Sequence, residues 1–259
     1  MPRHAAGMDM DTTVRSPDFE TVSRNPRDTR SGAARARRLA ARRLGDALDS
    51  GRLRLTAKAR LCLREAVPMA DELAMRWPKA GLPVTAALAD AGDGTAARRL
   101  CRWLLWAACR FEGTAPLVSV PIPAALLTAE LPPLVREALR DSGCDPARLE
   151  LRLSERAVLD AAPSLLVDLC DLRDRGVGLA LSDFGMELGA VALLRRLPLT
   201  HVHLDPSLTY DLTPGSEDSA LVANLAEMAH MLGLRISARG SEALALRLRG
   251  LGVDEAVMA

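Results

Sequence analysis

The chain has 259 residues, 49% of them hydrophobic and 26% charged, a balance that excludes wholesale disorder and suits one large domain or two small ones with a full core. The formal charge is only +1, so the total excludes a strongly basic polyanion binder. The charge is uneven, however, with ten arginines against five acids in residues 1–43 and 24 basic against 28 acidic groups in the remaining 216.

Residues 1–32 mix Pro, Gly, Ser, Thr and charges without apolar periodicity, the composition of a disordered tail. Residues 33–50 read as a basic amphipathic lead-in helix, with Leu39, Leu44 and Leu48 on one side and arginines on the other, stopped at Gly51. Such a helix either packs on the domain it precedes or contacts a membrane surface or partner. From residue 51 to 259 short β-like runs alternate with longer helical runs: RLRLTA, then Pro68 to Trp77, a helix in LCRWLLWAACRF, and a strand in PLVSVPI. A helix in ELPPLVREALRDSG, a strand in LELRLSE, one long helix in AVLDAAPSLLVDLCDLRDRG and a strand in VGLALSDF come next. The pattern runs on through GAVALLRRL (helix), THVHLD (strand), SEDSALVANLAEMAHMLG (helix), RISAR (strand), SEALALRLRGLG (helix) and DEAVM (strand). Roughly eight strands with interleaved helices predict an α/β fold, a mostly parallel sheet closed into a (β/α)8 barrel. Function in such a barrel belongs at the C-terminal ends of the strands.

The five cysteines stand singly with no C-x-x-C pair, which predicts buried free thiols in a reducing, cytoplasmic setting. Arg102 and Arg110 break the most apolar run, so no transmembrane segment is expected. Aromatics at 3% leave no stacking platform for a nucleic-acid polymer, and Trp77, Trp103 and Trp106 read as packing residues. In HVHLD, alternation puts His201, His203 and Asp205 on one face, a spacing open to zinc as well as to plain structural use.

The strand ends carry Glu72 and Arg76 in DELAMRW, Arg152 and Glu155 in LRLSE, Ser182 and Asp183 in LSDFG, and Arg239 and Glu242 in ARGSE. The segment LALSDFGMELGAVALLRRLPLTHVHLDPSL resembles the DDFGTGYSSL…LRRLPVD…KIDRSF stretch of EAL-type cyclic di-GMP phosphodiesterases. ISARGSE resembles their VAEGVE, LELRLSER their LELEITES, and DELAMRW their EALLRW, in one colinear order over residues 44–259.

The resemblance implies a modified TIM barrel of EAL type and, in active members, hydrolysis of a cyclic dinucleotide by two divalent metals. Residue by residue it matches Glu72 to a metal-binding Glu, Arg76 to a phosphate-contacting Arg, and Glu155 to a loop-anchoring Glu. It also matches Asp183 to the second Asp of DDFG, Asp205 to the Asp of KID and Glu242 to the last Glu of EGVE. Elsewhere the match fails: Pro121 stands for the metal-binding Asn, Arg152 for a metal-binding Glu, Ser182 for the first Asp of DDFG, and His203 for the catalytic Lys. Arg239 stands for the general-base Glu and Val257 for a late Gln, and Ala259 falls short of the usual last strand and tail. The expectation is a domain with no catalytic residues, no bound metal and no cofactor, acting on another protein as a regulatory module. A metal-independent receptor for cyclic di-GMP or another nucleotide is the alternative, and a weak phosphodiesterase the third. In the receptor, Arg152 and Arg239 hold phosphate with Arg76; in the regulatory module they pair with Glu72, Asp183, Glu155 or Glu242 and close the old pocket.

Overall fold

The structure is a computed structural model that describes residues 39, 42–77, 94–186, 194–210 and 212–258. All lie in the unit Ala36–Ala259. The tail expected over 1–32 lies outside the described residues, as does most of the GAVALLRRL run. Of the lead-in helix, residue 39 and residues 42–49 (α1) are helical, with Leu44 and Ala47 fully buried and Arg42 and Arg43 exposed.

Eight strands close a barrel in sequence order. They are β1 (Arg54–Cys62), β2 (Pro68–Arg76), β3 (Leu117–Ile122), β4 (Leu149–Ser154), β5 (Gly178–Phe184), β6 (His201–Leu204), β7 (Arg235–Gly240) and β8 (Glu255–Met258). Strands β2 to β8 run parallel, while β1 is antiparallel to both β2 and β8. The sheet is mostly parallel, as expected, with its first strand the exception. Only residues 63–67 join β1 to β2, whereas a parallel return needs a crossover of a dozen residues or more. Strand β1 also runs further than the RLRLTA stretch, and β8 completes the ring although the chain stops at Ala259.

The helices between strands are α2 (Gly94–Cys109), α3 (Leu131–Ser142), α4 (Glu155–Leu159), α5 (Pro163–Asp174), α6 (Glu217–Met231) and α7 (Glu242–Gly250). The long helix expected over 157–176 is split into α4 and α5. Pro163 lacks an N–H and cannot continue a helix from the preceding turn, but it fits the first turn of α5, where no intrahelical partner is needed. Helix α3 carries its prolines in the same early position and ends at Gly143, whose left-handed φ of 67° closes the helix.

Alternation along β4 sets the layers. Leu149, Leu151 and Leu153 point outward to the helices, and each buried leucine contributes about 1.5–3 kcal/mol. Glu150 and Arg152 point the other way, into the barrel. The lumen is consequently ionic rather than apolar. Trp77 and Trp103 pack on the core as expected, but Trp106 is half-exposed under the guanidinium of Arg110, 4.9 Å above its ring.

Candidate functional site

Glu72 sits mid-strand in β2, 5% exposed, and its carboxylate is already engaged. The guanidinium of Arg152, from β4, lies 2.7 Å from Oε2 of Glu72 and donates to the Leu73 carbonyl at 3.1 Å and the Ser119 hydroxyl at 3.4 Å. Two strands away from Arg152, Nδ1 of His203 approaches Oε1 of Glu72 to 3.3 Å, and Arg60 Nη1 comes to 3.6 Å. Burial pushes the Glu72 carboxyl up, but the ring of His203 and the guanidiniums of Arg152 and Arg60 hold it below the ordinary carboxylate range.

Arg60 is the pivot of the lumen. Its side chain, 1% exposed, reaches Glu150 at 3.0 Å and Glu255 at 2.8 Å, and donates from Nη1 to Nε2 of His203 at 3.1 Å. A guanidinium only donates, so Nε2 of His203 accepts and the ring proton sits on Nδ1, which donates to the Ser237 hydroxyl at 2.7 Å. Glu150 lies 3.8 Å from the same Nε2, beyond hydrogen-bond distance. Burial lowers the His203 pKa and pushes that of His201 well down, so both rings are neutral, stacked with centroids 4.8 Å apart. Arg60 holds Glu150 well below the usual carboxylate range, whereas burial pushes Glu255 up despite Arg60 and Arg235. Three guanidiniums, of Arg60, Arg152 and Arg235, thus face three carboxylates, of Glu72, Glu150 and Glu255.

The other expected site residues sit at the strand ends. Glu155, 1% exposed, accepts from the Gly185 N–H at 3.2 Å, and this contact fixes the chain leaving β5. Asp183 is exposed in a left-handed conformation, φ 59°, and accepts from the Ser182 hydroxyl at 3.2 Å. Asp205 does not join His201 and His203; it lies beyond β6 and caps the turn Pro206–Leu208 by accepting from the Ser207 N–H at 2.8 Å. Arg76, Arg239 and Glu242 are exposed, with no ion-pair partner among the described residues. Pro121 lies beside Arg152 in register, and Val257 is buried in β8 between Arg60 and Arg239. Of the pairings expected for the two substituting arginines, only that of Arg152 with Glu72 forms. No group of three or more His, Cys, Asp or Glu among the described residues is arranged to hold a metal ion.

Residues 41–256 match the model of the EAL domain. The chain belongs to the EAL domain family. Its barrel superposes on the EAL-type phosphodiesterase PaMucR in its c-di-GMP complex with a TM-score of 0.72, at 26% identity, covering 80% of this chain and 94% of that one. It also superposes on the Xanthomonas citri FimX EAL domain in complex with c-diGMP, with a TM-score of 0.73 at 19% identity, covering 90% and 94%. In sequence, this EAL domain is 29% identical over 206 residues to the uncharacterized protein y4lL of Sinorhizobium fredii, covering 77% of this chain and 25% of that protein. It is 32% identical over 108 residues to the bifunctional diguanylate cyclase/cyclic di-GMP phosphodiesterase MucR of Pseudomonas aeruginosa, covering 42% and 16%. The chain spans a quarter or less of the length of these curated relatives.

Sequence reasoning missed Arg60, Glu150 and Glu255. The signal was present for Glu150, because LELRL alternates and places it on the same inward face as Arg152. For Arg60 the pattern misleads, since RLTAKARL alternates polar and apolar residues and puts Arg60 on the same face as the exposed Thr56 and Lys58. No described helix is long and apolar enough to cross a membrane.

Proposed function

We propose that this EAL domain does not hydrolyse cyclic di-GMP and acts in cyclic di-GMP signalling as a regulatory module that binds another protein. One observation carries the reading: Arg152 grips the carboxylate of Glu72 at 2.7 Å, at the position where the family resemblance places a metal ligand. A divalent ion on that carboxylate would stand about 5 Å from a permanently charged guanidinium, a repulsion of about 6–7 kcal/mol at an effective dielectric of ~20. Hard cations such as Mg²⁺ also need several oxygen ligands, and the neighbouring strand offers Pro121, whose side chain has none. The residues present do not fit a metal pair. Arg239 in place of a carboxylate leaves no base to activate water there, and His203, with Nε2 tied to Arg60, is not free to serve as one.

A second reading is metal-independent binding of cyclic di-GMP, the ligand in complex with which the FimX EAL domain was solved. The observation in its favour is that Arg76 and Arg239 are exposed at the strand C-termini with no ion-pair partner among the described residues to compete with a phosphate.

Calorimetric titration of the full chain with cyclic di-GMP, in Mg²⁺ and in EDTA, combined with chromatography of the products, tests both readings. No heat and no product supports the protein-binding module. Equal heat in the two buffers without product supports the receptor. Mg²⁺-dependent product would refute both.

A further inference from the structure

The strand N-termini line an open cavity of about 390 Å³ at the end of the barrel opposite Arg76 and Arg239. Its polar walls are Arg60, Glu150, Arg173, His201, Arg235 and Glu255, four of them at or within one residue of the first position of β4, β6, β7 or β8. The two carboxylates are answered by guanidiniums already: Arg60 pairs with both, and Arg235 contacts Glu255 Oε1 at 2.8 Å. Two groups lack a close partner, while Oε2 of Glu255 and Nε of Arg60, though 2.8 Å apart, do not make a well-aligned hydrogen bond. Arg173, in the last turn of α5 and half-buried, has no ion-pair partner among the described residues. His201, 3% exposed, has no hydrogen bond to Nε2, and its nearest carboxylate oxygen, on Glu255, is 3.6 Å away.

We propose that this cavity binds a small singly charged oxyanion, a carboxylate or phosphate group, whose charge meets Arg173 while Nε2–H of His201 donates to one of its oxygens. A bound cation would add to the unanswered charge of Arg173, and an apolar ligand would leave the buried imidazole nitrogen unmet, at about 1–3 kcal/mol. One anionic oxygen group satisfies both, and charge-assisted hydrogen bonds from guanidinium are the strong ones. The imidazole stays neutral, because burial and the nearby Arg60 disfavour its protonation.

The chain has only four histidines, so imidazole ¹⁵N spectra of the full-length protein are simple, and His201→Gln assigns the resonance. Sodium acetate and inorganic phosphate serve as probes, with sodium chloride at matched ionic strength as reference. The expected result is a saturable shift of the His201 nitrogen with acetate, with phosphate or with both, which distinguishes the two sources of the oxyanion. Arg173→Met and Arg173→Gln, which keep the length of the side chain's stem, raise the apparent Kd by about tenfold, equal to about 1.4 kcal/mol. No shift, or a linear shift that chloride reproduces, would mean that only water fills the cavity, and a saturable shift unaffected in whichever Arg173 variant folds would mean that Arg173 does not hold the anion; either result would overturn the proposal.

Discussion

Arg60→Met is the most informative single change to the barrel. Methionine fills similar volume but removes the cation that Glu150 meets at 3.0 Å and Glu255 at 2.8 Å, all three side chains being at most 2% exposed. Breaking a buried pair by deleting one partner costs about 3–5 kcal/mol, because the surviving charge keeps its desolvation penalty. For a domain of this size each kcal/mol moves Tm by about 2–4 °C, which puts the expected loss at about 6–20 °C by circular dichroism at pH 7. The sign of the pH dependence follows from Glu150. Its folded pKa is depressed, so its contribution is present above the unfolded value of 4.5 and is lost as pH falls through the folded value. The gap between wild type and variant is therefore full at neutral pH and narrows as pH drops below 4.5. Adding Glu150→Gln to the variant restores part of the loss, since the stranded charge is gone. A variant that melts within about 2 °C of wild type at pH 7, or a gap that stays constant down to pH 4, would refute the reasoning.

Further outcomes are expected from the same geometry. Burial holds the pKa values of His201 and His203 below 6.5, so the stability they contribute is full above that value and falls as pH drops through it; urea unfolding should register a loss of stability between pH 7 and pH 5.5 that is smaller in His201→Gln. Gly185→Ala places a Cβ 2.8 Å from Leu208 Cδ1 at a φ of 103°, and denaturant unfolding should show a loss of about 1–3 kcal/mol.

The sequence's periodicity and punctuation carried the number and order of the strands, because every strand from β2 onward is separated from the next by a helical run. They did not carry the direction of β1. That information lies in the length of the connection, residues 63–67, and not in the residues of either strand. The break between α4 and α5 was legible only through Pro163, embedded in a stretch otherwise apolar enough to read as one helix. At the site, matching motif positions found Glu72, Arg152 and His203, which do meet. It could not find Arg60, Glu150 and Glu255, since their partnership is made by barrel closure between residues far apart in the chain. Motif position likewise gave no hint that Arg239 stays exposed while Arg152 is drawn inside.

The reversed first strand sets a condition on how the molecule assembles. Its hairpin with β2 is local and can form as soon as residue 76 is made, but its other edge waits for β8, and residue 60 cannot meet Glu255 until residue 255 has been made. Until then the nascent chain presents an unpaired strand edge with a guanidinium lacking its full set of counter-charges. Loss of even the final four-residue strand would leave the ring open at both neighbouring edges and return Arg60 to water.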